Sequence, residues 1–166
     1  MKCLPIIFSL ICAMLLSSCN YKLAGTPEPL PFNSIHVKVR NDSYAPQATE
    51  SLIGQLSNRL FMQQLKLDPD AATVLDVRIV SFERDQFASS ARDTGRAQAF
   101  TMRMSADVSL RNKTTNKDYF TNRRVYADVH IFDNPTSGVL GAEYQNMPAL
   151  TRILAEKICD EVTGIW

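Results

Sequence analysis

The chain has 166 residues, with 18 Lys and Arg against 17 Asp and Glu, 45% hydrophobic residues, and only 2 His and 4 Cys. That length suits one domain able to bury roughly two-thirds of its unfolded surface. Near-neutral charge excludes a strongly basic nucleic-acid binder and an acidic disordered tail, and the composition is that of an ordinary globular protein.

Met1-Lys2 gives a short positive start, and Cys3 to Leu16 is an uncharged, mostly apolar run of fourteen residues. A transmembrane helix needs about 20 apolar residues, so this run is too short to span and fits the apolar core of a secretory signal. Leu16-Ser17-Ser18-Cys19 follows, an aliphatic residue, two small ones and a cysteine, and resembles the bacterial lipobox. The small residues let the extended segment enter the peptidase. The Cys19 thiol takes a diacylglyceryl thioether, and cleavage then leaves Cys19 as the first residue, with an N-acyl chain added to its amine. Several chains anchor durably where one does not, at about 0.8 kcal/mol per buried methylene. An ordinary cleaved signal with Cys19 present by chance is the alternative. Asn20, rather than aspartate, is compatible with sorting to the outer membrane.

Removing residues 1–18 takes away one charge, Lys2, and leaves 17 basic against 17 acidic residues. Cys159 is left with no partner except the acylated Cys19, so no structural disulfide is expected. Residues 19–33 are expected to form a lipidated extended tether, with Pro27, Pro29 and Pro31 favouring extension. Residues 34–166 are expected to form a single domain.

Ile35 to Arg40 alternates apolar and basic residues, which predicts a half-buried strand. Asn41-Asp42-Ser43 is a turn, and Pro46 suits a first helical turn. The helix is expected to run to about Leu67, with Ala48, Leu52, Ile53, Leu56, Leu60 and Leu67 on one arc and Asp68-Pro69-Asp70 as its stop. Phe61, Met62 and Leu65 lie off that arc, either packed under a loop or forming a second contact surface. A second strand spans Thr73 to Phe82, and Glu83 to Ala97 reads as a long loop with frayed strand ends. Phe100 to Arg111 alternates for twelve residues, the pattern of a long strand buried on one face. NKTTNKD (112–118) is a polar hairpin loop, Tyr119 to Phe132 a fourth strand, and Asp133-Asn134-Pro135 a turn. A last helix is expected from about Pro148 to Val162, with Cys159 at the edge of its apolar face as a buried, inert thiol.

The order β-α-β-β-β-α predicts an α+β two-layer sandwich: a four-stranded mixed sheet with two helices on one face. The other face would carry His36, Lys38, Arg40, Asp76, Arg78, Arg103, Asp107, Arg111, Arg124, Tyr126, Asp128 and His130. Six cations against three Asp make it positive on this reading. It is either a solvated mixed-charge face or a surface for a polar partner or an anionic ligand, since arginine meets phosphate with a fixed fork of donors. The sequence carries no metal-ligand spacing, nucleophile elbow or phosphate-binding glycine loop, so neither an enzyme nor a cofactor beyond the acyl groups on Cys19 is expected.

Three stretches carry a resemblance to a known family. Cys19-Asn20-Tyr21-Lys22-Leu23 with Gly25, Ile35-His36-Val37-Lys38-Val39 with Asn41, and the helix from Ala48 through Leu56 and Leu60 resemble the start, first strand and first helix of the LptE family of lipopolysaccharide-assembly lipoproteins. Asn20 departs from the glycine frequent in that slot. The resemblance implies a two-helix, four-stranded sandwich anchored to the periplasmic side of the outer membrane. It further implies a plug inside a large β-barrel, LptD, that helps deliver lipopolysaccharide to the outer leaflet. A polar sheet face suits a polar barrel lumen, and Arg96, Arg103, Arg123 and Arg124 are candidate lipopolysaccharide contacts from charge and strand-end location. The competing reading is a membrane-tethered regulatory or cell-wall-associated binding lipoprotein. About fifteen residues between Cys19 and the first strand span at most about 50 Å, which favours a partner close to the membrane. A small-ligand carrier is the weakest reading, because no apolar cavity pattern is evident.

Overall fold

The computed structural model describes residues 30–89, 97–132 and 138–165. The signal segment, Cys19, most of the tether, Arg96 and the Asp133-Asn134-Pro135 turn lie outside them. β1 (Ser34–Asn41) is the alternating strand expected from the sequence, and it ends in a side-chain-built turn. There the Asn41 carboxamide oxygen accepts from Ser43 N at 2.9 Å and from Ser43 Oγ at 2.7 Å, while its Nδ2 donates to Ala45 O at 2.9 Å. This Asx turn delivers Pro46 to the start of α1 (Gln47–Met62), where a missing N–H costs nothing.

α1 buries Ala48, Leu52, Leu56 and Leu60, the heart of the predicted arc. It stops five residues earlier than expected because Gln64 takes a left-handed φ of 62° and Leu65 N folds back onto Leu60 O at 3.0 Å. The reversal drives Leu65 into the core and turns Lys66–Leu67 into β2, a two-residue strand parallel to β1. The sheet therefore has five strands rather than four, in the order β2-β1-β3-β4-β5. Phe61 and Met62 are left exposed.

β3 (Thr73–Ser89) lies parallel to β1 across the α1 crossover, and β4 (Ala97–Asn112) and β5 (Lys117–Phe132) continue as an antiparallel meander. The expected Glu83–Ala97 loop is corrected here. Residues 83–89 and 97 are paired strand, and only 90–96 lie outside the described residues. A β-bulge explains the misreading. Ile79 pairs with Ala106 and Ser81 with Ser105, so Val80 is an extra residue that inverts the alternation of everything after it. Leu75, Val77 and Ile79 point to the helices from odd positions. After the bulge Phe82 does so from an even one, opposite Met104.

α2 (Gly138–Thr163) begins ten residues before the expected start and carries Pro148 inside it. Proline deprives the Tyr144 carbonyl of its helical donor, and Tyr144 is 72% exposed, so water can meet that carbonyl. α1 and α2 run side by side over the same sheet face, joined by Ser51 Oγ and Thr151 Oγ1 at 2.6 Å and by Arg59–Glu156 at 2.8 Å. Beneath them Ile35, Leu75, Ile79, Met102, Met104 and Leu110 meet Leu52, Leu56, Leu150, Leu154 and Ile158 in one core. This is the α+β two-layer sandwich with both helices on one face. No helix among the described residues is long and apolar enough to cross a membrane.

Candidate functional site: the helix-free sheet face

Directly paired residues of neighbouring strands point to the same side, so the register sorts the open face into rungs. His36, Val74, Arg111 and Asp118 make the first. Lys38, Asp76 and Ser109 make the next, followed by Arg40, Arg78, Asp107 and Arg124 across four strands. Beyond these come Ser81, Ser105 and Tyr126, then Glu83, Arg103 and Asp128, then Asp85, Thr101 and His130.

The four-strand rung is the electrostatic centre. Asp107 is 7% exposed although it sits on the open face. Arg124 grips it bidentately, Nε to Oδ1 at 2.7 Å and Nη2 to Oδ2 at 3.0 Å, and Arg78 Nη2 reaches Oδ2 at 2.9 Å. Hydrogen bonding from Arg124, and then from Arg78, outweighs desolvation and holds the Asp107 carboxyl down at about 2. The same contact raises the Arg124 pKa. Arg40 pairs with Asp76 at 3.2 Å, and Arg78 also approaches Asp42 at 3.9 Å.

The expectation of a positive face is overturned by the register. The Val80 bulge brings Glu83 and Asp85 onto this face, and Asp118 joins them opposite Arg111, so six carboxylates stand against six cations. The charges cancel in number, and Arg40, Arg78, Arg103 and Arg124 are held in ion pairs with carboxylates. Lys38 and Arg111 have no ion-pair partner among the described residues. Sequence reasoning placed both on the face without distinguishing them from the paired arginines, because the distinction depends on register.

The four arginines nominated from sequence do not form one site. Arg103 and Arg124 share the open face, two rungs apart. Arg123, displaced by a β5 irregularity near Asn122 (φ 50°), is paired with Val108 and therefore faces the helices. There it binds Glu161 of α2 at 2.6 Å and lies 4.7 Å over the Phe120 ring. Arg96 lies outside the described residues. Arg103 is the loosest of the three described, touching only an exposed Asp85 at 3.5 Å. The two histidines share the face but sit at opposite ends of it, His36 beside Val74 and His130 with its Nδ1 3.0 Å from Thr101 Oγ1. Among the described residues no group of three His, Cys, Asp or Glu could hold a metal. Cys159 is buried, and desolvation pushes its thiol up to about 12, the opposite of an activated nucleophile.

A two-helix layer over a meander with one bare, self-paired face is a recognisable arrangement. Residues 32–162 match the family model of LptE, lipopolysaccharide-assembly. The chain belongs to the LptE family. That membership makes it a protein of lipopolysaccharide assembly, and solved structures agree with the sandwich. Rare lipoprotein B from Shewanella oneidensis is 12% identical with a TM-score of 0.54, over 78% of this chain and 94% of that one. An uncharacterized lipoprotein B from Nitrosomonas europaea is 15% identical with a TM-score of 0.53, over 88% and 92%. A hypothetical protein from Chlamydia trachomatis reaches a TM-score of 0.54 at 12% identity, over 80% and 96%. At such identities the likeness is one of fold. A search of curated proteins finds no match.

Proposed function

We propose that this LptE-family chain is acylated on Cys19, is held at the periplasmic side of the outer membrane, and serves as the plug of a large LptD-like β-barrel that assembles lipopolysaccharide at the cell surface. The observation that carries the reading is the open sheet face of a family member: polar, strongly charged, yet balanced at six cations to six carboxylates. Such a face suits a polar lumen, which can supply partners to the side chains it does not pair itself. The helices on the other face keep the core intact whatever the open face touches.

Within this reading lipopolysaccharide phosphates would be met by cations not already committed. Arg103, with its long contact to Asp85, is the best placed of the nominated arginines. Arg124 is occupied by Asp107 and Arg123 by Glu161. The test is purification through this chain from native outer membranes in mild detergent. A very large β-barrel protein should follow it at fixed stoichiometry, and recovery as a free monomer would sink the plug reading. In the same preparation a photo-crosslinking residue at Arg103 should capture lipopolysaccharide more efficiently than one at Arg123.

A further inference from the structure

Both the chain entry and an apolar cluster lie at one end of the molecule. Phe32 is buried against Tyr119, with ring centroids 5.7 Å apart. Asn33 O accepts from Lys66 N at 2.9 Å, so the backbone is fixed to β2 before β1 begins. β2 immediately follows the last turn of α1, where Phe61 is 76% and Met62 81% exposed, and Leu67 in β2 is 38% exposed. Tyr44, which follows the far end of β1, is about 25 Å away at 3.3 Å per strand residue, and the β3–β4 ribbon runs on beyond it to Ser89 and Ala97. Ten residues lie between Cys19 and Leu30, a reach of at most about 40 Å.

We propose that the end of the domain formed by Phe61, Met62 and Leu67 is a membrane seat, inserting into the headgroup–acyl boundary of the phospholipid leaflet that holds the Cys19 lipid. Because Phe32 locks the entry into the core, the tether emerges beside Phe61, Met62 and Leu67, and these are the first exposed apolar side chains it brings to the bilayer. Exposed Phe and Met at the C-terminal turn of a helix are the side chains that partition at such a boundary. Phe and Met gain more there than in water, while Lys66, ion-paired with Asp68 at 3.4 Å, can stay hydrated at its rim. The seat rests on the acylated-lipoprotein reading but needs no barrel.

The acylated full chain is reconstituted in barrel-free vesicles of phosphatidylethanolamine and phosphatidylglycerol, with W166F removing the natural tryptophan. F61W, M62W and Y44W are then compared by emission and by quenching with brominated acyl chains. Tryptophan at 61 or 62 is expected to emit to the blue and to be quenched at least threefold more than at 44. Equal quenching at the two ends, in protein whose Cys19 acyl mass has been verified, overturns the seat and leaves the barrel reading standing. An unmodified Cys19 overturns the anchor and the seat together. Failure to recover a barrel partner, by contrast, overturns the plug alone.

Discussion

Asp107 shows how a single side chain organises a face. It is buried beneath two arginines, and its carboxyl is held at about 2. The sign of its pH dependence follows from that depression. The stabilisation is present above the unfolded value near 3.9 and is lost as pH falls towards 2, and its size is on the order of 2 kcal/mol. Asp107→Asn should therefore lower unfolding free energy at pH 7 by about 1–3 kcal/mol and flatten the stability profile between pH 4 and 2, as read by urea titration. Arg103→Ala should cost little at either pH, since its contact with Asp85 is long and exposed. Cys159 makes a second residue-scale prediction. Burial raises its thiol to about 12, so in a form beginning at Asn20 it should react with a thiol reagent at pH 8 more than tenfold slower when folded than in urea. Its burial was legible in the sequence from its place on the apolar face of a helix. The grip of Arg78 and Arg124 on Asp107 was not, because the three belong to different strands and meet only through register.

At the scale of elements, the bulge at Val80 and the early stop of α1 decide more than any helix propensity. Removing Val80 would restore strict alternation, and Phe82 would then turn from Met104 to the open face. The expected outcome is a loss of about 3 kcal/mol or more, the scale of a deleted buried phenylalanine, in equilibrium unfolding. Alternation made β1, the middle of β3, β4 and β5 readable in the sequence. It could not reveal residues 83–89 as strand, since the bulge changes the phase and the exposed residues there are charged. Two of those charges are answered across the fold, Arg84 by Glu143 of α2 and Asp85 by Arg103. Pro148 likewise read as a helix start. It is instead an interior residue whose unpaired carbonyl neighbour lies at an exposed position.

For the whole molecule, the division of labour between lipid and domain is the testable point. Among the described residues the core runs from Phe32 onward, with Leu30 packed against it, so on the anchored-lipoprotein proposal Cys19→Ser should leave the unfolding midpoint unchanged while moving the protein from the membrane to the soluble periplasmic fraction. Parallel loss of both would mean that the segment before Leu30 contributes to folding. The sandwich also separates two demands. The helix-covered face supplies stability through apolar burial, and the open face is free to remain polar, with its cations and carboxylates equal in number.

By itself the sequence determined the class of the fold and the side of each central strand that is buried, because local periodicity encodes them without long-range pairing. Tertiary structure alone decided the fifth strand, the full length of the β3–β4 ribbon, which arginines are engaged, and the cancellation of charge on the open face. Each of these depends on which residue of one strand stands opposite which residue of another. A one-residue bulge reverses that assignment for every side chain beyond it.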